Sequence, residues 1–175
     1  MDLDFILLAA LLPVVFMVHD FEEIIAFKPW IEKNRAYLAK RFPLIAKKML
    51  PRFEKLSTSA YTVAVAEEFI ILSAITFFSI YFEHYYWWFA AFMGFSIHLI
   101  VHIVQFIVIR RYVPVIVTSI LALPYCIYTF CELINKNLFT ATEMTVWTLT
   151  GVVLVAVNLL LAHRLAAVFN RFIGK

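Results

Sequence analysis

Three short polar patterns are notable because each lies within a long run of apolar residues. The first is His19-Asp20-Phe21-Glu22-Glu23, the second is Glu67-Glu68, and the third is His98 with His102. A charged side chain in the hydrocarbon core of a membrane costs roughly 2.5–3.5 kcal/mol on insertion scales. We therefore expect these residues to bind an ion, to pair with another group or to transfer protons.

Helical spacing places the residues of the first pattern on one side of a helix. At about 100° per residue, His19, Glu22 and Glu23 fall within an arc of about 100°. Their imidazole and carboxylate groups can therefore converge on one point. Asp20 lies outside this arc, and we expect it to contact a neighbouring helix.

The other two patterns present their polar groups in a similar way. His98 and His102 are four residues apart and share a helix face, and Gln105 lies between them in angle. Glu67 and Glu68 differ by about 100°, so we expect one of them to reach a shared centre directly. The other would act from the edge of the site or orient a ligand.

Composition and hydrophobic runs predict an all-α protein embedded in a membrane. Of its 175 residues, 64% are hydrophobic and only 15% are charged, whereas a soluble domain is about 25% charged. The apolar runs are long and do not alternate, which favours a polytopic membrane helix bundle over a barrel. We predict one domain with about five transmembrane helices. The predicted spans are 3–27, 58–82, 85–109, 113–134 and 142–162, with a connector over 28–57.

The distribution of basic residues predicts the orientation of this bundle. With five spans, the connector, the turn at Arg110-Arg111 and the C-terminal tail lie on one side of the membrane. These segments hold all but one of the 15 lysines and arginines, the exception being Lys136. The positive-inside rule then places the N-terminus outside and the C-terminus in the cytoplasm, and we expect a bacterial cytoplasmic membrane. The net charge of +3 reflects this basic face, so no nucleic-acid partner is expected.

The same orientation brings the three polar patterns to a common depth. At 1.5 Å per residue, His19, Glu67 and His102 each lie roughly 10–14 Å above the cytoplasmic ends of their helices. Three helices therefore contribute polar groups to one layer in the inner-leaflet half of the membrane.

This layer contains the donor groups of a transition-metal site. Imidazole and carboxylate ligands suit one or two divalent ions, and we expect zinc or iron. Inward-facing carboxylates and histidines are also the ligands of di-iron helical bundles. The candidate metal ligands are His19, Glu22, Glu23, Glu67, Glu68, His98 and His102. The candidate catalytic groups are Glu23, Glu67 and Glu68, and the auxiliary groups are Gln105, Asn158 and His163.

The connector over 28–57 combines lysines and arginines with regularly spaced apolar residues. Pro43 and Pro51 are expected to divide it into short helices. One interpretation is a basic amphipathic helix on the inner leaflet. The alternative is a lid over a site that faces the cytoplasm, because the connector joins the two helices that carry the carboxylates.

The first polar pattern also resembles a known signature. The string His19-Asp20-Phe21-Glu22-Glu23 is similar to the H-x-x-E-E motif that names the HXXEE-domain family of small bacterial integral membrane proteins. The later Glu67-Glu68 pair and the spacing of His98 and His102 resemble the same family, so the resemblance covers most of the first four spans. It implies a multi-spanning helical protein and implies no particular reaction.

Three functions fit these observations. The first is a membrane-embedded metalloenzyme, a hydrolase or an oxidoreductase, that acts on a lipid or another hydrophobic substrate. The second is a cation transporter or proton-coupled carrier that uses the same carboxylates and histidines. The third is an accessory membrane subunit whose polar cluster fixes helix packing. A homo-oligomer is compatible with each of them.

Overall fold

The computed structural model describes residues 3–173, and within that range the chain is all-helical, as predicted. Five of the six helices are long and apolar enough to cross a membrane, which indicates an integral membrane protein. The helices are α1 (Leu3–Arg41), α2 (Pro43–Lys55), α3 (Thr58–Tyr81), α4 (Tyr86–Ile109), α5 (Ile116–Asn135) and α6 (Ala141–Ile173). The first, third, fourth, fifth and sixth of these correspond to the five predicted spans.

The first helix continues well beyond the predicted end of its span. The predicted span ends at residue 27 because charged residues begin at Lys28, but α1 remains helical to Arg41 and includes Pro29. Charge ends a hydrophobic span without ending a helix, and this segment is rich in alanine, lysine and arginine, which favour helices. At 1.5 Å per residue, a helix of 39 residues exceeds the roughly 30 Å hydrocarbon core, so α1 projects beyond it.

The remainder of the connector folds back on α1 as α2. Helix α1 ends at Arg41, and α2 begins at Pro43. Pro43 occupies the first turn of α2, where its missing N–H is tolerated. Pro51 lies inside α2 and does not divide it. One face of α2 buries Ala46 and Leu50 in a cluster with α1. The amphipathic character predicted for the connector therefore serves packing against α1.

Small residues bring α6 close to its two neighbours. Gly151 lies so near α4 that a Cβ atom added there would sit 2.0 Å from the carbonyl oxygen of Ala90. Alanines bring α3 and α6 together in the same way, through Ala60, Ala64, Ala162 and Ala166. Close approach at small residues is typical of helix association in membranes.

Aromatic residues hold the N-terminal end of α1 against the start of α4. Phe5 contacts the rings of Tyr85 and Trp88 edge to face. The indole of Trp88 also donates a hydrogen bond to the carbonyl of Ala9 at 3.2 Å. These contacts help to determine how α1 is positioned against α4, and therefore which residues of the two helices meet further along.

Candidate metal centre

The three histidines of the sequence patterns meet at one point between α1 and α4. One ring nitrogen from each of His19, His98 and His102 lies within 4.8 Å of the others. A tetrahedral zinc ion with Zn–N distances of about 2.0–2.1 Å separates neighbouring nitrogens by about 3.3 Å. The three ring nitrogens, which lie within 4.8 Å of one another, therefore need to move closer together by at most about 1.5 Å to hold an ion. We call these residues the histidine trio.

Hydrogen bonding leaves one nitrogen of His19 free. The Thr118 hydroxyl donates to the Glu22 carboxylate at 2.7 Å, so it can only accept from Nδ1 of His19, which lies 3.3 Å away. Nδ1 then carries the proton and Nε2 carries the lone pair. The His19 side chain is fully buried, and its Nε2 has no hydrogen-bond partner. A buried imidazole oriented in this way by a neighbouring group is typical of a metal ligand.

The other two histidines contact each other directly. Nδ1 of His102 donates to the Gln105 side-chain oxygen at 3.0 Å, which leaves Nε2 of His102 as an acceptor. That Nε2 lies 2.8 Å from Nε2 of His98. Gln105, expected as an auxiliary group, therefore contacts His102 as Thr118 contacts His19.

Glu22 lies beside the trio and contacts the start of α5. Its carboxylate accepts hydrogen bonds from the Thr118 backbone N–H at 2.8 Å and from the Tyr112 hydroxyl at 2.7 Å, in addition to the Thr118 hydroxyl. Burial and the hydrogen bond to Glu22 raise the pKa of Tyr112 to about 12, so this hydroxyl remains a donor at neutral pH. A carboxylate at a helix N-terminus is stabilised by the free N–H groups there. The sequence predicts Glu22 as a ligand, and the structure gives it these partners instead of a place within the trio.

The start of α5 has an unusual backbone. Val115 precedes the helix with φ of 69°, in the left-handed region that a β-branched residue seldom adopts. It is fully buried. This turn presents the Thr118 backbone N–H and hydroxyl to Glu22, and so holds the Glu22–Thr118–His19 chain in place.

Three further carboxyl groups line a cavity that His98 also lines. Asp20, Glu23 and Glu68 line a cavity of about 100 Å³ together with Tyr61 and His98. The Tyr61 hydroxyl is close enough to the Glu23 carboxylate to interact with it. Further lining is provided by Phe27, Phe53, Leu159, Ala162 and His163, among others. We call this space the acidic cavity.

The two adjacent glutamates of α3 point to different places. Glu68 lines the acidic cavity, whereas Glu67 accepts a hydrogen bond at 3.3 Å from the Asn158 amide of α6. Asn158, expected as an auxiliary group, therefore contacts Glu67. His163 lines the acidic cavity and donates from Nδ1 to the Leu159 carbonyl at 2.6 Å.

The residues that line the acidic cavity include no lysine or arginine that could pair with its carboxyl groups. Elsewhere in residues 3–173, salt bridges join Arg35 with Glu54 at 2.9 Å and Lys136 with Glu132 at 3.6 Å. Both lie outside the site. Pairing with lysine or arginine is therefore not the reason for the buried carboxyl groups.

A large apolar groove reaches the site from the side of α2. It has a volume of about 560 Å³, which is in the usual range for small-molecule pockets. Residues of α1, α2 and α4 form most of its lining. Glu23, His102 and Gln105 are polar residues of this lining. The position of α2 along the groove is compatible with the lid interpretation of the connector.

Sequence reasoning did not identify several residues of this region. Asp20 is expected from the sequence to contact a neighbouring helix, and it lines the acidic cavity with Glu23. The spacing of three residues between them was a usable signal, because it places both on one helix face. Tyr61 and Glu68 are likewise seven residues apart on one face of α3. No local signal singled out Thr118, because its role depends on α1.

The fold and the site define a helical membrane protein with a candidate histidine metal centre. The family described as "protein of unknown function with HXXEE motif" matches residues 10–129. This range is more than half of the chain and contains His19, Glu22 and Glu23, so the chain belongs to this family. No significant match was found among curated proteins or among solved structures.

Proposed function

We propose that the protein is a membrane-embedded metalloenzyme with one divalent ion at the histidine trio and a hydrophobic substrate in the apolar groove. The observation that carries this proposal is the buried Nε2 of His19, which has no hydrogen-bond partner. The His19 ring lies 5.7 Å from that of His98 and 5.4 Å from that of His102 between centroids. An orphaned buried acceptor is unfavourable unless it binds something.

The donor set fits a borderline transition metal. Three neutral imidazoles suit zinc, iron, copper or nickel, and three protein ligands leave one coordination position open, as in catalytic zinc sites. A bound divalent ion would act as a Lewis acid on a carbonyl or phosphoryl group of the substrate. Among the residues from 3 to 173, the trio is the only group of three potential ligand atoms this close together. We therefore propose one ion and not two.

The groove supports the choice of a hydrophobic substrate. Its lining is mostly aliphatic and aromatic, and His102 belongs to it, so an apolar molecule in the groove reaches the edge of the trio. Glu23 lines both the groove and the acidic cavity. We assign Glu23 as the group that accepts a proton during the reaction, with the Tyr61 hydroxyl orienting its carboxylate.

Elemental analysis of the purified protein tests the proposed metal site. We expect about one transition-metal ion per chain in the wild type, purified without chelators or reloaded with Zn²⁺. His19→Ala and His102→Ala should each lose it, because each removes one of three ligands. His84→Ala is the matched control, since His84 is exposed and lies outside the site. Equal metal in wild type and both site variants, or no metal in any sample, would contradict the proposal.

One observation favours a carrier as the second candidate. Asp20 has a buried carboxyl oxygen without a partner, and ionisable residues within membrane spans commonly belong to ion pathways and proton relays. A carrier of this kind should conduct protons into proteoliposomes under a membrane potential, and Asp20→Asn should abolish the flux. Glu132→Gln is the control, because Glu132 lies outside the site and pairs with Lys136. Absence of wild-type flux would exclude this candidate.

A further inference from the structure

The acidic cavity has the composition of a cation site. Asp20 is only 3% exposed, and its Oδ2 has no hydrogen-bond partner. Glu23 and Glu68 line the same cavity, and its lining residues include no lysine or arginine. Buried carboxyl groups are strongly unfavourable without a compensating partner, so this cavity is suited to a positively charged guest.

The arrangement of the carboxyl groups favours binding of an organic cation over binding of a metal ion. A metal ion requires its ligand atoms to converge on one point. Among the described residues, Asp20, Glu23 and Glu68 do not form a group whose ligand atoms all lie within 4.8 Å of one another. A primary ammonium group carries separate N–H donors, as a lysine side chain does, and can bind carboxyl groups that surround it.

Aromatic rings complete the wall of the cavity. Phe27 stacks on Tyr61 with ring centroids 5.2 Å apart, and Phe53 meets Phe27 edge to face at 5.0 Å. All three residues line the acidic cavity. Aromatic rings attract ammonium groups through cation–π interactions, which strengthen where water is excluded.

The acidic cavity adjoins the apolar groove. Glu23, Phe27 and Phe53 line both spaces. We infer that the site binds an amphiphilic primary amine, with its ammonium group among Asp20, Glu23 and Glu68 and its hydrocarbon tail in the groove. As an assignment of the substrate class, this rests on the proposed function, because His98 of the trio also lines the acidic cavity.

Native mass spectrometry of the full-length protein, released from detergent, tests this inference with dodecylamine as the probe. We expect a saturable one-to-one adduct with the wild type and binding at least about tenfold weaker in Glu68→Gln and in Asp20→Asn. Dodecanol has the same tail without the charge, so it should bind much more weakly. Glu67→Gln is the matched variant, because Glu67 is the adjacent carboxyl group that faces Asn158. It should bind the amine as the wild type does.

Metal content measured in the same samples separates this inference from the proposed function. Glu68→Gln should keep the metal and lose the amine. Equal binding of dodecylamine and dodecanol, or unchanged amine affinity in both cavity variants, would overturn the ammonium site. A metal-loaded wild type that binds no amine would overturn it as well and leave the metal centre standing. Amine binding without metal uptake would support the cavity and overturn the metal centre.

Discussion

At the scale of single residues, hydrogen bonds determine which ring nitrogen of His19 and of His102 carries the proton. Glu22 accepts from the Thr118 hydroxyl, and Thr118 accepts from Nδ1 of His19, so the free lone pair of His19 is on Nε2. Gln105 has the same effect on His102. Such partners commonly determine metal affinity because they orient the ligand and select its tautomer.

The hydroxyl of Thr118 provides a direct test of this arrangement. Thr118→Val removes the hydroxyl with little change in shape, so we expect metal affinity to fall by about 10–100-fold while the protein remains folded. Competition with a metal-binding dye measures the change. Thr150→Val is the control, because the Thr150 hydroxyl donates within its own helix, to Val146 at 2.9 Å. Unchanged affinity in Thr118→Val would show that this hydroxyl does not orient a ligand.

At the scale of the helices, pairwise packing determines whether the site can form. The bundle places α6 against α4 at Gly151 and against α3 at a set of alanines. This packing holds α3 in the position from which Glu68 reaches the acidic cavity. At Gly94, an added Cβ would lie 2.7 Å from a methyl group of Val155 and 3.1 Å from the Gly151 carbonyl oxygen, whereas at Gly151 it would lie 2.0 Å from the Ala90 carbonyl oxygen. Gly151 therefore tolerates a larger side chain less well than Gly94 does.

Substitution of Gly151 tests this packing. We expect Gly151→Ala to destabilise the fold by about 1–3 kcal/mol, because the new methyl group forces the two helix backbones apart. Thermal unfolding in detergent should show the loss as a lower melting temperature. Ala156→Leu, at an exposed position of α6, adds a larger side chain without entering an interface and should leave the melting temperature nearly unchanged. A melting temperature of Gly151→Ala equal to that of the wild type would contradict the close approach.

At the scale of the whole molecule, the basic segments gather at one end of the bundle. The Tyr37 hydroxyl of α1 donates to the Ile109 carbonyl at the end of α4, at 2.7 Å. Asn170 of α6 accepts from the Ser57 backbone N–H at 3.0 Å, next to the end of α2. The charge asymmetry that predicts the orientation is thus a property of one face of the folded molecule.

Reporter fusions measure the orientation of the bundle directly. We expect green fluorescent protein fused to the C-terminus to fluoresce and alkaline phosphatase fused there to be inactive, because the basic face should remain in the cytoplasm. With five spans, the α3–α4 turn and the α5–α6 turn both lie on the opposite side, so phosphatase fused within either turn should be active. An active phosphatase at the C-terminus would contradict the predicted topology, and different results at the two turns would contradict the number of spans.

Much of the architecture was predictable because hydrophobic spans are a local property of the chain. The five spans and the α-helical class follow from the length of the apolar runs, since a helix satisfies its own backbone hydrogen bonds in lipid. The ends of the helices were less predictable at the connector, where α1 continues past Lys28 to Arg41. There the helix is extended by residues that are polar yet helix-forming, and α2 packs against it.

The candidate site was predictable in part. The spacing and common depth of His19, His98 and His102 pointed to a shared centre, and the structure brings these three together. The places of Glu22 and Glu67 were not predictable. Their partners, Thr118 and Asn158, lie on other helices, and neither position follows from a local pattern.

Hydropathy and residue spacing are therefore enough to predict a helical membrane protein with histidines and carboxyl groups at one depth. These properties depend on hydropathy and on the period of the helix, and both can be obtained from neighbouring residues. Only the tertiary structure separated the histidine trio from the acidic cavity. That separation depends on the rotation of each helix against its neighbours, which is decided by close contacts such as that of Gly151 with Ala90.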